Sequence, residues 1–289
     1  MYSSADEERS VATTYYRTVA RTADWVEVGD RVFSRRYEVL DQQIGLILGE
    51  GAALVIDTRT VPSHAREILA DTRRLTPLPV VIVINTHWHS DHAWGNREFR
   101  PATIWGHERC RTRLLEDGER RRDEMAASIP DFAMELATVV IDPPDRTFTD
   151  TATIEVGGRP LELRYLGRGH TDADVVVGVP DAGVIFAGDL LENDAVPWFG
   201  DSYPLEWPAT VERLLSFVEG PVVPGHGSIG DLAFVERQLA EFRAVVDAAE
   251  RLHAGHTDRA GAMTSMPYTA DASVMPLDRA LAQLRGELD

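Results

Sequence analysis

The chain has 289 residues, of which 44% are hydrophobic and 26% charged, so it can bury a substantial core as one large domain or two small ones. A formal net charge of −18 disfavours nucleic acids and anionic membranes as partners, because the summed field of the chain repels phosphate groups. The single cysteine, Cys110, excludes an internal disulfide and a thiolate-rich metal site.

The N-terminal segment 1–25 carries scattered charges and no uninterrupted apolar run, which predicts that a secretory signal is absent. No stretch of the sequence approaches the length of a membrane span. We therefore expect a cytoplasmic protein, and the sequence sets no expectation for its oligomeric state.

The first third of the chain alternates apolar and polar residues around glycine-containing turns, then takes helical spacing before a run of β-branched residues. We predict strands within 25–39 and 44–58, a helix over 63–75 with Ser63 as its N-cap, and a buried strand over 80–84. This order of strand, helix and strand is typical of an α/β layer arrangement.

The remaining elements form a second β-rich block followed by helices. We predict a helix over 117–137 broken at Pro130, a hairpin around Gly157, strands at 174–180 and 183–189, helices over 208–218, 231–253 and 274–288, and a short strand at 221–227. The arginine triplet 120–122 is typical of a solvated face, and 254–272 reads as a loop.

A dense group of potential metal ligands follows the predicted strand over 80–84: His87, His89, Asp91 and His92. Side chains at i and i+2 project to one side of an extended chain but diverge by about 200° on a helix. His87 and His89 can therefore share an ion if the chain stays extended. Because Asp91 and His92 are adjacent, we expect them to point in different directions, which favours two metals over one.

Three further ligand-capable side chains follow apolar strands and stand beside glycines: His170, Asp189 and His226. A glycine next to a ligand allows the backbone to approach closely and keeps a metal pocket open. These donors are nitrogen and oxygen atoms. Imidazole suits zinc, iron, copper and nickel, and a carboxylate between two ions suits a bridged pair, so zinc is the first expectation.

These motifs resemble those of the metallo-β-lactamase superfamily, with HxHxDH at 87–92 and the later ligands in the family's order. The resemblance runs from about Trp25 to Gly227. It implies an α/β fold, the αβ/βα four-layer sandwich in which two sheets lie between helices, with the metals at one sheet edge. We expect 1–289 to form a single domain of this kind, with 231–289 as a C-terminal helical extension.

The resemblance also implies a dinuclear zinc site, with iron or manganese as alternative metals. The implied ligands are His87, His89 and His170 for the first ion, Asp91, His92 and His226 for the second, and Asp189 as the bridge. Asp57, at the end of the meander, is expected to support a ligand histidine. A hydroxide between the ions would then attack a carbonyl group of a small-molecule substrate, and Asp91 would orient this nucleophile or move its proton.

Among the family's members, hydrolases of thioesters, lactones and related carbonyl compounds fit best, because they use a seven-ligand set with a bridging aspartate. The basic cluster that glyoxalase II would need for glutathione is not evident. Zinc β-lactamases resemble the second half of the chain. However, Asp189 stands where their best-known subgroup has a cysteine, and Glu192 stands where a lysine would pair with the drug's carboxylate. The expected lack of an export signal also disfavours that activity.

Other members fit less well. An iron persulfide dioxygenase would use only His87, His89 and His170, and the complete second ligand set argues against it. RNA-cleaving members are disfavoured by the negative charge and by the absence of room for their inserted domain. Flavodiiron proteins are disfavoured because the second motif position is His89 rather than a carboxylate.

Aromatic residues beside the motifs are candidates for substrate binding, namely Trp88, Trp198 and Phe199. Arg168, two residues before His170, would pair either with a substrate carboxylate or with Asp172. We expect the histidines at 253 and 256 to be surface residues.

Overall fold

The meander predicted for the start of the chain is present. The computed structural model describes residues 24–288. Its first four strands are β1 (Val26–Gly29), β2 (Val32–Tyr37), β3 (Gln42–Leu48) and β4 (Ala53–Ile56). They pair antiparallel in this order, and every residue of β3 and β4 is buried.

The sheet continues beyond the meander with three parallel strands, β5 (Val80–Ile84), β6 (Thr103–His107) and β7 (Arg146–Phe148). Four helices connect or follow them: α1 (Pro62–Leu75), α2 (Ser90–Ala93), α3 (Glu108–Ser128) and α4 (Ala133–Leu136). Ala65 and Ile68 of α1 join a buried cluster with Leu46, Val55 and Ile104 of the sheet. The apolar stripe of α1 thus packs on strands whose residues are themselves apolar.

Three local expectations for this part need correction. Helix α1 begins at Pro62 rather than after Ser63, because proline has the φ that the first helical position needs, and Ser63 instead donates to the Glu135 carboxylate. Strand β5 is buried only in its second half, since Val81 is 38% exposed. Helix α3 starts well before residue 117 and ends just before the predicted break at Pro130.

A hairpin closes against the meander in this part of the chain. It consists of β8 (Thr151–Val156) and β9 (Arg159–Tyr165). Glu50 N donates to Gly157 O at 2.9 Å, and a Cβ on Gly49 would lie 1.8 Å from Val156 O. The two turns approach so closely that no side chain fits at Gly49.

The strands of the last part of the chain are β10 (Val175–Val179), β11 (Val184–Glu192) and β12 (Val222–His226). β11 pairs antiparallel with β10 and parallel with β12, and all nine of its residues are buried. The helices are α5 (Trp207–Leu215), α6 (Leu232–His253), α7 (Arg259–Ser265) and α8 (Val274–Leu284). Their buried residues form a cluster with Leu190, Leu191 and Val222 of the strands.

Helix α6 starts as predicted, with Asp231 accepting a hydrogen bond from Phe234 N at 3.0 Å. Its buried stripe includes Val235, Leu239, Phe242 and Val245, which recur at helical spacing. Helix α7 lies in the segment predicted to be a loop. Its seven residues are too few to establish a helical period in the sequence, although Asp258 is a good N-cap and accepts from Gly261 N.

The described chain divides into two compact units, the first ending at Leu163 and the second beginning at Arg164. Each unit combines strands with helices, as an α/β protein should. The single domain and its C-terminal extension stay predictions. Among residues 24–288, no helix is both long and apolar enough to cross a membrane, and the expected absence of a signal concerns residues that lie largely outside this range.

Candidate metal centre

The first two histidines of the HxHxDH motif face each other in the loop between β5 and α2. His87 Nε2 lies 3.0 Å from His89 Nδ1. The backbone of His89 is extended, with φ −62° and ψ 156°, and the single-turn helix α2 begins directly after it. The extended chain that the i and i+2 spacing requires is therefore present up to His89.

Asp91 and His92 also converge, with 3.3 Å between Asp91 Oδ2 and His92 Nε2. The expectation that adjacent residues point in different directions is wrong for this pair. Both residues lie on the single turn of α2, where rotation of the aspartate and imidazole side chains brings their outer atoms together. This convergence makes the pair suitable for a single ion, as the family resemblance implied.

Asp57 holds the other side of the His92 ring. Asp57 Oδ2 accepts from His92 Nδ1 at 2.8 Å, and the carboxylate also accepts from the backbone N and the hydroxyl of Thr86, each at 2.8 Å. Burial raises the pKa of Asp57, and the contacts with His92 and Thr86 oppose this rise. With its Nδ1 proton held by Asp57, His92 keeps the lone pair of Nε2 available for a metal.

Two asparagines flank the motif and hold its backbone, and sequence reasoning did not single them out. Asn96 Nδ2 donates to Asn85 Oδ1 at 2.7 Å, and Asn85 Nδ2 donates back to Asn96 Oδ1 at 2.9 Å and to His92 O at 3.1 Å. Thr58 N also donates to His92 O. The only signal in the sequence was an asparagine at each end of the motif. In the structure both are buried, and their mutual hydrogen bonds help to hold the backbone of the motif.

Trp88, a substrate-binding candidate, is only 6% exposed and packs edge-on against His89, with 4.4 Å between ring centroids. The Arg121 guanidinium lies 4.3 Å from the centroid of the Trp88 ring. The arginine triplet is thus only partly the solvated face that we predicted. Arg120 is exposed and pairs with Glu124, whereas Arg121 makes a cation–π contact with the buried Trp88 ring.

In the second unit, one carboxylate oxygen lies between two histidines. Asp189 Oδ2 is 3.3 Å from His170 Nε2 and 3.3 Å from His226 Nε2. Hydrogen bonds between nitrogen and oxygen are usually about 2.7–3.2 Å long, whereas two ligand atoms on a tetrahedral zinc lie about 3.3 Å apart, given bonds of about 2.0–2.1 Å. The spacing of each nitrogen–oxygen pair therefore fits two ligands on one metal ion better than a direct hydrogen bond.

The strands explain this arrangement. β11 and β12 run parallel, so Asp189 and His226 lie toward the same edge of the sheet. A Cβ on Gly225 would lie 1.8 Å from Asp189 Oδ1, so the glycine next to His226 makes room for the carboxylate. Asn193 N donates to His226 O at 2.9 Å, which ties the end of β12 to the residues after β11.

The other substrate candidates lie in different environments. Trp198 is 46% exposed, with its ring centroid 5.9 Å from that of His170. Phe199 is 1% exposed and packs on Trp207 and Phe242 at centroid distances of 5.1 and 6.0 Å. Of these two side chains, only Trp198 presents substantial surface to solvent.

Arg168 pairs with a residue that the sequence did not suggest. Its guanidinium binds the carboxylate of Glu206 through two hydrogen bonds, of 2.8 and 2.5 Å, and lies over the ring of Tyr203. Glu206 is 38 residues away in the sequence, and only the position of α5 brings it near. The histidines at 253 and 256 are exposed, as predicted.

Comparisons with known proteins agree with the motifs. The profile of the family described as "Metallo-beta-lactamase superfamily" matches residues 37–226. The chain is 33% identical over 98 residues to metallo-beta-lactamase type 2 of Bacteroides fragilis, covering 32% of this chain and 39% of that protein. It is 25% identical over 193 residues to metallo-beta-lactamase type 2 of Bacillus sp. (strain 170), covering 65% of this chain and 67% of the relative.

A solved structure, the metallo-beta-lactamase from Pontibacter korlensis, superposes with a TM-score of 0.62 at 23% identity, covering 77% of this chain and 99% of the other. This likeness confirms the expected fold class, the α/β sandwich of that family.

Proposed function

This chain belongs to the metallo-β-lactamase superfamily, and we propose that it is a zinc-dependent hydrolase acting on the carbonyl group of a small-molecule thioester, lactone or related ester or amide. The observation that carries the proposal is the placement of Asp189 Oδ2 at 3.3 Å from both His170 and His226. A single oxygen at ligand spacing from two imidazoles is what a bridging carboxylate requires.

The donor set fits this metal. It contains imidazole nitrogens and carboxylate oxygens, and the chain's one cysteine is elsewhere. We assign as ligands His87, His89 and His170 for one ion, Asp91, His92 and His226 for the other, and Asp189 for both. The separations within each unit support this assignment, since three of the nitrogen-to-oxygen distances are 3.3 Å.

Bound zinc would lower the pKa of a coordinated water to about 7 and polarise the substrate carbonyl. The chain's own residues supply the rest. Asp57 keeps His92 in the tautomer that presents Nε2. Asp91, which is 14% exposed, is the carboxylate that we propose to orient the nucleophile and take up its proton. We propose that the half-exposed ring of Trp198, beside His170, contacts the substrate.

Hydrolysis of β-lactam amides is the second candidate, and the names of the relatives favour it. Two residues disfavour it relative to thioesters and lactones. Asp189 replaces the cysteine ligand of the best-known subgroup. Position 192 holds a glutamate instead of the lysine that would attract the drug's carboxylate, so that attraction is missing.

The test is metal content by mass spectrometry together with initial rates on a thioester, a lactone and a cephalosporin, all on the zinc-loaded protein. We expect two zinc ions per chain and faster turnover of the thioester or lactone. Faster cephalosporin turnover would reverse the ranking of the two candidates. One tightly held iron per chain, with oxygen-dependent turnover of a persulfide, would replace hydrolysis by the dioxygenase reaction.

The bridging role is tested by Asp189→Ala, with His253→Ala as a matched control that removes an exposed histidine. We expect Asp189→Ala to lose the paired ions while His253→Ala keeps them. Retention of two tightly held ions by Asp189→Ala would refute the bridge.

A further inference from the structure

Glu192 ends strand β11 three residues after Asp189, and its side chain is buried, with 7% exposure. Its Oε1 lies 3.8 Å from His170 Nδ1, the ring nitrogen opposite the Nε2 that faces Asp189. The His170 side chain is itself 1% exposed. A buried carboxylate therefore lies behind the imidazole, on the side away from Asp189.

The position of Glu192 is fixed by several contacts. Oε1 accepts from Trp198 N at 2.9 Å, which holds the carboxylate. The backbone of Glu192 is clamped by Gln238 of α6, whose Oε1 accepts from Glu192 N at 3.0 Å and whose Nε2 donates to Glu192 O. Gln238 is 3% exposed, so this clamp is inside the core of the second unit. The carboxylate is thus held in place by packing and does not turn freely toward solvent.

The first unit contains a similar pair, in which the Asp57 carboxylate contacts Nδ1 of His92 while Nε2 of His92 faces Asp91. In both units a buried carboxylate lies on the Nδ1 side and the second ring nitrogen points to a candidate ligand. The second pair is at 3.8 Å, beyond hydrogen-bond length, so Glu192 acts on the His170 ring through its charge. A carboxylate at Nδ1 favours the tautomer with the proton on that atom, which leaves the Nε2 lone pair for a metal and increases its basicity.

We propose that Glu192 is the positioning residue of His170: its negative charge, 3.8 Å from Nδ1, favours the proton on that atom and leaves Nε2 to bind metal. This inference rests on the proposed function in that it takes His170 as a ligand. Glu192 replaces the lysine of the β-lactamase pattern. In this proposal its carboxylate acts on a ligand histidine and does not face the substrate.

The first experiment needs no metal. In the metal-free protein at pH 8, ¹⁵N chemical shifts report which ring nitrogen of His170 is protonated. We expect the Nδ1–H form in the native protein and a mixture of tautomers in Glu192→Gln, which keeps the shape but removes the charge. Unchanged shifts in Glu192→Gln would overturn the inference, whether or not the protein proves to be a zinc hydrolase.

The second experiment measures zinc affinity by competition with a chelator. Loss of an outer carboxylate partner typically weakens metal binding by about 10- to 100-fold, and we expect a loss in this range for one ion in Glu192→Gln. Glu192→Asp, which keeps the charge, should recover part of it. Glu236→Gln is the matched control, because Glu236 is exposed on α6. Equal affinities for the native protein and Glu192→Gln would contradict the inference, whereas absence of zinc binding by the native protein would contradict the proposed function.

Glu192→Lys separates the two roles of this position. If the side chain faced a substrate, the new cation would improve the KM for a cephalosporin carboxylate. We expect instead that the lysine weakens zinc binding more than Glu192→Gln does and gives no gain in KM. A lower KM with unchanged zinc affinity would show that position 192 belongs to the substrate site.

Discussion

Asp57 and His92 are 35 residues apart in the sequence, yet Asp57 Oδ2 lies 2.8 Å from His92 Nδ1 in the interior of the first unit. The same carboxylate accepts two hydrogen bonds from Thr86, directly before the HxHxDH motif. One side chain therefore fixes both the start of the motif and the orientation of its last histidine.

We expect Asp57→Asn to weaken zinc binding by about 10- to 100-fold. The amide has a single acceptor oxygen, whereas the Asp57 carboxylate accepts from three donors, so at least one donor would face the amide NH₂ group. Chelator competition measures the affinity. Asp145→Asn serves as control, since Asp145 pairs with Arg100 near the surface. Undiminished affinity in Asp57→Asn would show that His92 keeps its orientation without this partner.

Gly225→Ala should displace the proposed bridge. A Cβ at this position would lie 1.8 Å from Asp189 Oδ1 and 2.9 Å from the backbone carbonyl carbon of Gly188, so the methyl group would meet both the carboxylate and the backbone. We expect loss of at least one tightly bound zinc, measured by titration. Gly158→Ala is the control: its φ of +77° is strained for alanine, but the space around it is open, so it should cost about 1–2 kcal/mol and leave metal binding intact.

Trp198 and Phe199 should respond differently to truncation. Phe199→Ala removes a buried ring from the core and is expected to lower the free energy of unfolding by about 3–5 kcal/mol. Trp198→Ala, at a half-exposed position, should change stability by less than about 1 kcal/mol and raise KM if the ring contacts substrate. Urea denaturation and steady-state kinetics measure the two effects. A KM unchanged in Trp198→Ala would remove this residue from the substrate site.

His64 should make the protein sensitive to acid. Burial, helped by the charge of Arg59, lowers the pKa of His64 from 6.5 to about 3. Between these values the unfolded chain binds a proton that the folded chain does not, so folding stability falls as pH decreases from about 6.5 toward 3. We expect His64→Phe to lose less stability than the native protein between pH 7 and pH 4.5, by about 2 kcal/mol.

The measurement is urea denaturation of both proteins at the two pH values with a chelator present, so that metal release does not contribute to the difference. His256→Phe is the control, because His256 is exposed. Equal pH dependence of His64→Phe and the native protein would mean that the folded chain accommodates a charged His64.

Most elements were predictable because their signals are local. Alternation of apolar and polar residues identified the meander, and helical spacing identified α6. The errors arose where a short or special feature competes with periodicity. Pro62 displaced the expected cap at Ser63, and α7 has only seven residues.

Residue types and short spacings along strands were enough to predict the family and the fold class and to propose the metal ligands. Which side chains surround these ligands became known from the tertiary structure. The Arg168 guanidinium binds Glu206, the Arg121 guanidinium lies over the Trp88 ring, and Glu192 Oε1 lies 3.8 Å from His170 Nδ1. Helix packing, strand register and side-chain rotamers bring residues that are distant in the chain within a few ångströms of each other. The spacing of residues along the sequence does not show which of them will meet.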